Sequence, residues 1–370
     1  MTRAQMKMLA VTAGLFGLVV VGDQRRGKLE REPVGVGRVV QESRGLIVAD
    51  ESKIEWTDAS FNPWEGCEKV SPGCKFCYAE ARDHRFTGGK HWGGKDSVRR
   101  VISTQLGNSP HRWQREQAAK NALADKLGQP RPRRPRVFCA SLADVWEDRA
   151  DLVERRAKLF ETIRACPDLD WLVLTKRPEN ITRLWPKNVP PPGARDWPHL
   201  WLGCTGEDQE WLNKRLVHLL MVPAVIHFVS LEPLLGPIDL REAFAIGAAE
   251  RLTVLRPREH TLDWAIIGGE SGYPNQVRPF VTTWAESLIE QCRMLLIKPF
   301  VKQLGAFACV PIERWRDPSR FETRMQPDAR RERTPPGLIR MFTKHPKGGD
   351  MNEWPPELRV REFPSGGFPT

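Results

Sequence analysis

The stretch DWLVLTKRP, from Asp170 to Pro178, indicates how this 370-residue chain folds. Four apolar residues stand together, and Thr175, Lys176 and Arg177 follow them at once. A short apolar run bounded by polar residues is typical of a strand that is buried on both faces of a parallel sheet. The run therefore predicts a buried strand whose carboxyl end carries polar side chains.

Runs of the same kind recur along the chain, separated by segments with helical spacing. In residues 151–166, 208–221 and 283–296, apolar residues return every three or four positions, as on one face of a helix. Strands that alternate with helices predict an α/β fold with a parallel sheet. The other runs that we interpret as strands are Lys53–Trp64 (the candidate first strand), Arg136–Asp144, His199–Glu207, Ala224–Pro233, Asp263–Gly272 and Pro299–Gly305.

Polar residues follow successive strands at their carboxyl ends. In a (β/α) barrel such positions meet at one mouth, where these enzymes carry out chemistry, whereas an open sheet gathers only those near its switch point. The series therefore favours a parallel (β/α) partial TIM-type barrel of six or seven strands. It also predicts that four side chains line a catalytic cavity: Lys176, Glu232, Glu270 and Lys302.

The chain divides into three predicted parts. Residues 52–345 form the barrel, with a basic insertion at about 86–136, and residues 346–370 form a tail that packs on it. Residues 1–51 are expected to be a non-core extension, either an over-long start or an interfacial helix. Its apolar segment, Met8–Val21, is short for a membrane span and lacks a clear cleavage site. We therefore expect a cytoplasmic protein without stable membrane association.

The formal net charge is +11, which favours an anionic partner such as nucleic acid. Two proline-containing runs concentrate the positive charge, Gln129–Arg136 and Asp328–Arg340. Solvated linkers have the same composition. Both interpretations of the two runs therefore remain open.

Three cysteines occur close together in GCEKVSPGCKFCYAEARDH, from Gly66 to His84, with the spacing C-x6-C-x2-C. A disulfide between Cys74 and Cys77 is one interpretation. A structural zinc site is another, with His84 or Asp83 as the fourth ligand. The third is a [4Fe–4S] cluster whose open iron binds S-adenosylmethionine (SAM), because three thiolates leave one iron without a protein ligand. We favour this last interpretation, with Cys67, Cys74 and Cys77 as the ligands.

The stretch SKIEWTDASFNPWEGCEKVSPGCKFCYAE resembles the opening of a phage-associated family of uncharacterised proteins that carry a three-cysteine motif and are grouped near radical SAM enzymes. The resemblance extends from about Ser52 to Pro364. It implies an iron–sulfur cluster, SAM, an electron donor and a companion protein from a neighbouring gene. Later stretches that are similar to this family are VFCASLADVWED, WLVLTKRPEN, FVSLEPLLGPIDL, DWAIIGGESG, FVKQLGA and KGGDMNEWPPELRVREFP.

The same resemblance implies roles in cofactor binding for five further residues. Phe76 is similar to the aromatic residue that precedes the third cysteine in radical SAM enzymes, and CKFCYAE resembles the spore photoproduct lyase-like branch. The motif at Gly268 and Gly269 is like a Gly-Gly-Glu motif that contacts the SAM amino group, although it follows a late strand here. Ser141 and Asp144, after the second strand, are the alternative candidates for that contact. Most radical SAM enzymes have C-x3-C-x2-C, so the loop here is three residues longer.

These observations lead to two functional hypotheses. The first is a radical SAM-type enzyme that cleaves SAM reductively and acts on an unknown substrate, with nucleic acid as the first candidate. The alternative is a zinc-stabilised, nucleic-acid-binding phage protein without catalysis. Iron content and colour on anaerobic purification separate the two.

Overall fold

The computed structural model describes residues 52, 54–103, 107–193, 195–250, 261–315 and 334–365. The predictions for residues 1–51, and for much of the run Asp328–Arg340, lie outside these residues. No helix within the described ranges is long and apolar enough to cross a membrane.

The elements follow one another in the predicted alternation. The strands are β1 (Ala59–Ser60), β2 (Trp64–Glu65), β3 (Arg100–Val101), β4 (Arg136–Cys139), β5 (Asp170–Thr175), β6 (Leu200–Thr205), β7 (Ile226–Leu231), β8 (Trp264–Gly268), β9 (Phe280–Val281), β10 (Lys298–Gln303), β11 (Ala308–Pro311) and β12 (Leu338–Met341). The helices are α1 (Tyr78–Thr87), α2 (Ser109–Lys126), α3 (Val153–Ala165), α4 (Ile181–Leu184), α5 (Gln209–Leu220), α6 (Leu240–Glu250), α7 (Thr282–Met294) and α8 (Ile312–Trp315).

Seven strands form one curled parallel sheet in the order β1-β4-β5-β6-β7-β8-β10. Each pair of neighbours is parallel. The spatial order follows the chain order, so this sheet has no switch point of the kind that marks a doubly wound fold. The protein is therefore an α/β fold built on a seven-stranded half-barrel flanked by helices, consistent with the predicted partial barrel.

Side chains alternate between the two faces of this sheet. On the convex face Val173, Leu202 and Ile267 pack in one cluster with Leu159 of α3 and Leu212 of α5. This burial explains why the sequences of the strands are nearly continuous apolar runs. The helices therefore cover the outside of the half-barrel.

The concave face carries an aromatic cluster near the amino ends of the strands. Trp264 is at its centre, with its ring centroid 5.8–6.1 Å from the rings of four neighbours, an ordinary spacing for aromatic pairs. Gly203 is required beside this cluster, because a Cβ there would lie 2.4 Å from the Phe228 ring. The rings fill the lower half of the barrel. The buried residues of this cluster are Trp56, Phe138, Leu172, Trp201, Ile226, Phe228, Trp264, Ile266 and Phe300.

The segment 346–365 contacts the last strand of the half-barrel. The Val301 amide donates to the Val360 carbonyl at 2.8 Å. Phe363 lies with its ring centroid 5.4 Å from that of Trp264, and both Trp354 and Leu358 are buried. This segment therefore covers the open edge at β10.

Residues 86–136 contain α2 and the short strand β3, which pairs antiparallel with β2 from the segment before the cysteines. Trp113 of α2 is buried in the same cluster as the convex face. The insertion is therefore packed against the half-barrel through its helix.

The aromatic cluster generates a stability prediction. Replacing Trp264 with alanine should lower the free energy of unfolding by about 3–5 kcal/mol, because a large buried ring leaves a cavity that the rigid sheet does not fill. Urea denaturation followed by circular dichroism measures the loss. Met294→Ala is the control, since this side chain is exposed and should change stability by no more than about 0.5 kcal/mol. Equal losses in both variants would contradict the central role of the cluster.

Candidate functional site

A cavity of about 560 Å³ lies at the carboxyl ends of the strands. Its lower wall includes Trp56, Phe138 and Leu174 from the concave face. Eight of the predicted site residues line it together: Cys67, Cys74, Cys77, Ser141, Asp144, Lys176, Glu232 and Lys302.

The other four predicted site residues do not line this cavity. Gly268 and Gly269 lie against Glu232 and Leu304, Phe76 is part of the segment between the second and third cysteines, and Glu270 pairs with Arg278. The roles that the sequence suggested for Glu270 in the cavity, and for these two glycines in contacting SAM, therefore gain no support from the geometry.

The loop with the three cysteines, residues 66–77, is fixed to the end of β4 at both sides. The Gly66 amide donates to the Leu142 carbonyl at 2.9 Å. Beyond the third cysteine, the Tyr78 hydroxyl donates to the Ser141 carbonyl at 2.7 Å. The loop therefore crosses the mouth of the half-barrel rather than extending into solvent.

Glu207, after β6, holds the middle of the cysteine loop. Its Oε1 accepts a hydrogen bond from the Gly73 amide at 3.0 Å, and its Oε2 pairs with Arg215 at 2.7 Å. Burial would raise the pKa of Glu207, but the charges of Lys176 and Arg215 and the hydrogen bonds to the loop outweigh burial and lower it. Gly73 permits this contact, since a Cβ there would lie 2.9 Å from the Glu207 carboxyl carbon.

Glu270, after β8, also supports the loop, but through Arg278. The carboxylate forms an ion pair with the Arg278 guanidinium and accepts from its backbone amide at 2.9 Å. Arg278 donates to the Pro72 carbonyl at 2.8 Å and lies 5.5 Å from the centre of the Phe76 ring. Glu270 and Phe76 are therefore placed to position the loop.

Arg177, after β5, connects Cys67 with Asp144. Its Nη1 lies 3.6 Å from the Cys67 sulfur and 3.1 Å from Asp144 Oδ2. Asp144 also accepts from the Thr175 hydroxyl at 2.7 Å and from the Lys176 amide at 2.9 Å. Although burial acts to raise it, the pKa of Asp144 is lowered by Arg177 and these hydrogen bonds. Asp144 thus has its hydrogen-bonding capacity taken up by the protein, and the Ser141 hydroxyl is likewise engaged by the Asn62 side-chain amide at 3.1 Å.

The thiols themselves are poor ligands until they lose a proton. Burial first, and then the charge of Asp144, raise the pKa of Cys67 to about 12 against the opposing effect of Arg177. Burial also raises the pKa of Cys77. Because metals bind thiolates, occupation of this site releases protons.

The opposite wall of the cavity carries a charge pair. Lys302 Nζ lies 3.0 Å from Glu232 Oε1, and the Ser230 hydroxyl donates to Glu232 Oε2 at 3.2 Å. Gly268 makes room for this carboxylate, because a Cβ there would lie 2.5 Å from Glu232 Oε1. Lys176 also lines the cavity and forms no ion pair with another described residue. The wall therefore presents an ammonium group and a carboxylate that can bind a polar, zwitterionic ligand.

The cysteines supply the donors of a three-thiolate centre without converging on one point. Within the described residues, no three histidine, cysteine, aspartate or glutamate side chains form a group that could hold a metal ion. The two candidates for the fourth zinc ligand both have other partners. Asp83 is buried and accepts from the Thr87 hydroxyl at 2.6 Å and the His91 amide at 3.0 Å, while the His84 ring lies against Gly89. The three thiols line one cavity, and a metal centre held by them would require the loop to bring them together.

Sequence reasoning missed the residues that hold the loop. Glu207 and Arg177 were visible as polar residues after strands, but nothing in the sequence paired them with Gly73 and Cys67. Arg278 belongs to no motif, and Arg215 is a charged residue among the apolar positions of α5, whose spacing does not reveal its partner. Their roles follow only from contacts between distant parts of the chain.

The Glu207–Arg215 pair generates a second prediction. Glu207→Ala should lower the free energy of unfolding by about 3–5 kcal/mol, because it leaves a buried guanidinium without its counter-ion. Glu210→Ala, in the same helix region, removes an exposed pair with Lys214 and should cost only about 0.3–0.5 kcal/mol. Denaturant midpoints and slopes of the two variants provide the comparison. A small loss in Glu207→Ala would show that this pair does not hold the loop.

Neither the curated proteins nor the solved structures contain a match to this chain. One protein family does match, over residues 51–343, and it is described as "Protein of unknown function (DUF5131)". The matched range contains the cysteine loop, the half-barrel strands and the charged wall of the cavity. The chain belongs to the DUF5131 family.

Proposed function

We propose that this protein is an iron–sulfur enzyme of the radical SAM type, which cleaves SAM reductively and acts on nucleic acid. The observation that carries the proposal is the common location of Cys67, Cys74 and Cys77. All three line one cavity at the carboxyl ends of a parallel half-barrel, together with the paired Glu232 and Lys302. That end of the sheet is where (β/α) barrel enzymes place their chemistry. The relation to phage proteins and to radical SAM enzymes is part of this proposal.

The three thiolates would hold a [4Fe–4S] cluster and leave one iron open to SAM. When bound, such a centre supplies the electron for reductive cleavage of the SAM sulfonium. The protein's own contribution is to hold the cysteine loop over the cavity through Glu207, Arg278 and Arg177.

The charged wall is suited to the amino acid part of SAM. Lys302 provides an ammonium group for a carboxylate, and Glu232 accepts hydrogen bonds from an amino group. Lys176 adds a second ammonium group on another side of the same cavity. The aromatic cluster closes the cavity from below, which excludes water from that side.

The surroundings of the cysteines favour this proposal over a zinc-stabilised binding protein. A tetrahedral zinc site places its sulfur ligands about 2.3 Å from the ion and hence about 4 Å apart. In the described ranges no three histidine, cysteine, aspartate or glutamate side chains form a group that could hold such an ion, and the Asp83 carboxylate already accepts from the Thr87 hydroxyl and the His91 amide. A cluster distributes its three thiolates over separate irons, so it demands less convergence of the loop.

The third prediction concerns the ligands. Protein purified and reconstituted without oxygen should be brown and contain about four irons per chain, and it should form 5′-deoxyadenosine from SAM with dithionite. Cys74→Ala should lose both colour and SAM cleavage. Cys292→Ala is the matched control, because Cys292 is buried on α7 and does not line the cavity.

Two results would overturn this assignment. Colourless protein with one zinc per chain would support the zinc-stabilised alternative. Iron and SAM cleavage that persist in Cys74→Ala would show that the ligands lie elsewhere.

The fourth prediction distinguishes the binding of SAM from the binding of the cluster. Lys302→Met should keep its iron but lower 5′-deoxyadenosine formation at least about tenfold, because the charged wall loses its ammonium group and leaves Glu232 unpaired. Lys298→Met is the control on the same strand, since Lys298 pairs with Glu362 at its opposite end. Equal activity of both variants would exclude Lys302 from the site.

A further inference from the structure

Helix α1 begins directly after the third cysteine and presents an aromatic and basic face. Tyr78, Arg82 and Phe86 are spaced four residues apart, and Arg85 lies beside them. Side chains at this spacing share one face of a helix. Tyr78 is 55% exposed and Phe86 is 67% exposed. We call these four residues the α1 stripe.

The α1 stripe leads from the protein surface to the cavity. Its inner end is Tyr78, which lines the cavity and donates to the Ser141 carbonyl. At its outer end the guanidinium carbons of Arg82 and Arg85 lie 5.8 Å and 5.5 Å from the centre of the Phe86 ring. The distance along the helix from residue 78 to residue 86 is about 12 Å. This equals the length of about three or four nucleotides of a stacked strand.

The fold does not require these rings. The buried residues of α1 are Ala79 and Asp83, so neither ring of the α1 stripe is among the side chains that this helix buries. Single exposed apolar residues are common on protein surfaces. Two exposed aromatic rings aligned with two guanidiniums form a combination that can stack on bases and pair with phosphates.

The charges around the α1 stripe favour an anionic partner. Arg82 and Arg100 share one carboxylate, Glu65, at 3.2 Å and 3.0 Å, so this group keeps one positive charge. On the helix itself Glu80 is neutralised by Lys69 at 2.7 Å, and the Asp83 carboxylate is buried and hydrogen-bonded within the protein. Arg85, Lys75 and Lys90 form no ion pair with other described residues. The net local charge is therefore positive.

We propose that the α1 stripe binds single-stranded nucleic acid and delivers it to the mouth of the cavity. Exposed rings stack on bases only where the bases are unpaired, and the two guanidiniums beside the Phe86 ring contact the phosphates. In a duplex the bases are paired and stacked, so only the phosphates would be accessible to the α1 stripe. The inference rests on the proposed function for the chemistry that follows binding, and it assigns the substrate class by a contact that is independent of the cluster.

The test measures binding of fluorescein-labelled 12-nucleotide strands by fluorescence anisotropy. Single-stranded DNA, single-stranded RNA and a DNA duplex are compared, with the full chain and without iron or SAM. Both single strands should bind more tightly than the duplex. Phe86→Ala should weaken single-strand binding about tenfold, while Phe86→Trp, which keeps a ring, should not.

The salt dependence of binding tests the arginines of the α1 stripe separately from its rings. Arg85→Ala should reduce the slope of log affinity against log salt concentration by about 0.7, the value for one phosphate contact with a single strand. Arg293→Ala is the matched control, because Arg293 is an exposed residue at the end of α7, a helix that packs against β10. Its salt dependence should equal that of the unchanged protein.

The outcomes distinguish this inference from the proposed function. Duplex binding as tight as single-strand binding, or full affinity in Phe86→Ala, would overturn the inference. Failure to bind any of the three nucleic acids would overturn it too, and would leave α1 as a surface for a protein partner. Tight single-strand binding by protein that never cleaves SAM would support the α1 stripe while refuting the radical SAM proposal.

Discussion

A buried carboxylate, Glu207, determines where the cysteine loop lies. It bonds the Gly73 amide on one side and the Arg215 guanidinium on the other, and both side chains are almost completely buried. Buried charge is tolerated only when it is paired and hydrogen-bonded. The loop therefore forms part of the environment that makes this ion pair stable, and any displacement of the loop removes one of the hydrogen bonds that compensate for burial.

The interior of the half-barrel has two layers with different physical roles. Aromatic side chains fill the lower layer and make it rigid. The upper layer is lined by charged and thiol groups and remains open as the cavity. Gly203 and Gly268 occur between the layers, where a larger residue would displace the Phe228 ring or the Glu232 carboxylate. The position of the cavity is thus a consequence of how the strands divide their side chains between the layers.

Polar residues line the cavity where the alternation of side chains continues past the apolar residues of a strand. Lys176, Glu232 and Lys302 follow apolar residues in phase with the concave face and line the cavity. Glu270 does not, because the chain after β8 turns toward Arg278 and Gly305. Phe76 was suggested by resemblance rather than by periodicity, and its ring lies near Arg278, outside the cavity lining. Periodicity predicts direction only while the backbone stays extended.

The sequence by itself determined the α/β alternation with its parallel sheet and the closeness of the three thiols, because apolar periodicity and residue spacing are local properties. The polar strand ends favoured a partial barrel, but only the tertiary structure decided how the sheet curls. Tertiary structure alone decided which carboxylates face the cavity and which hold the loop. That choice depends on pairings such as Glu207 with Gly73, which lie 134 residues apart in the chain. The tertiary structure also determined that Tyr78 lines the cavity while Phe86 is exposed, because the sheet fixes the direction in which α1 leaves the loop.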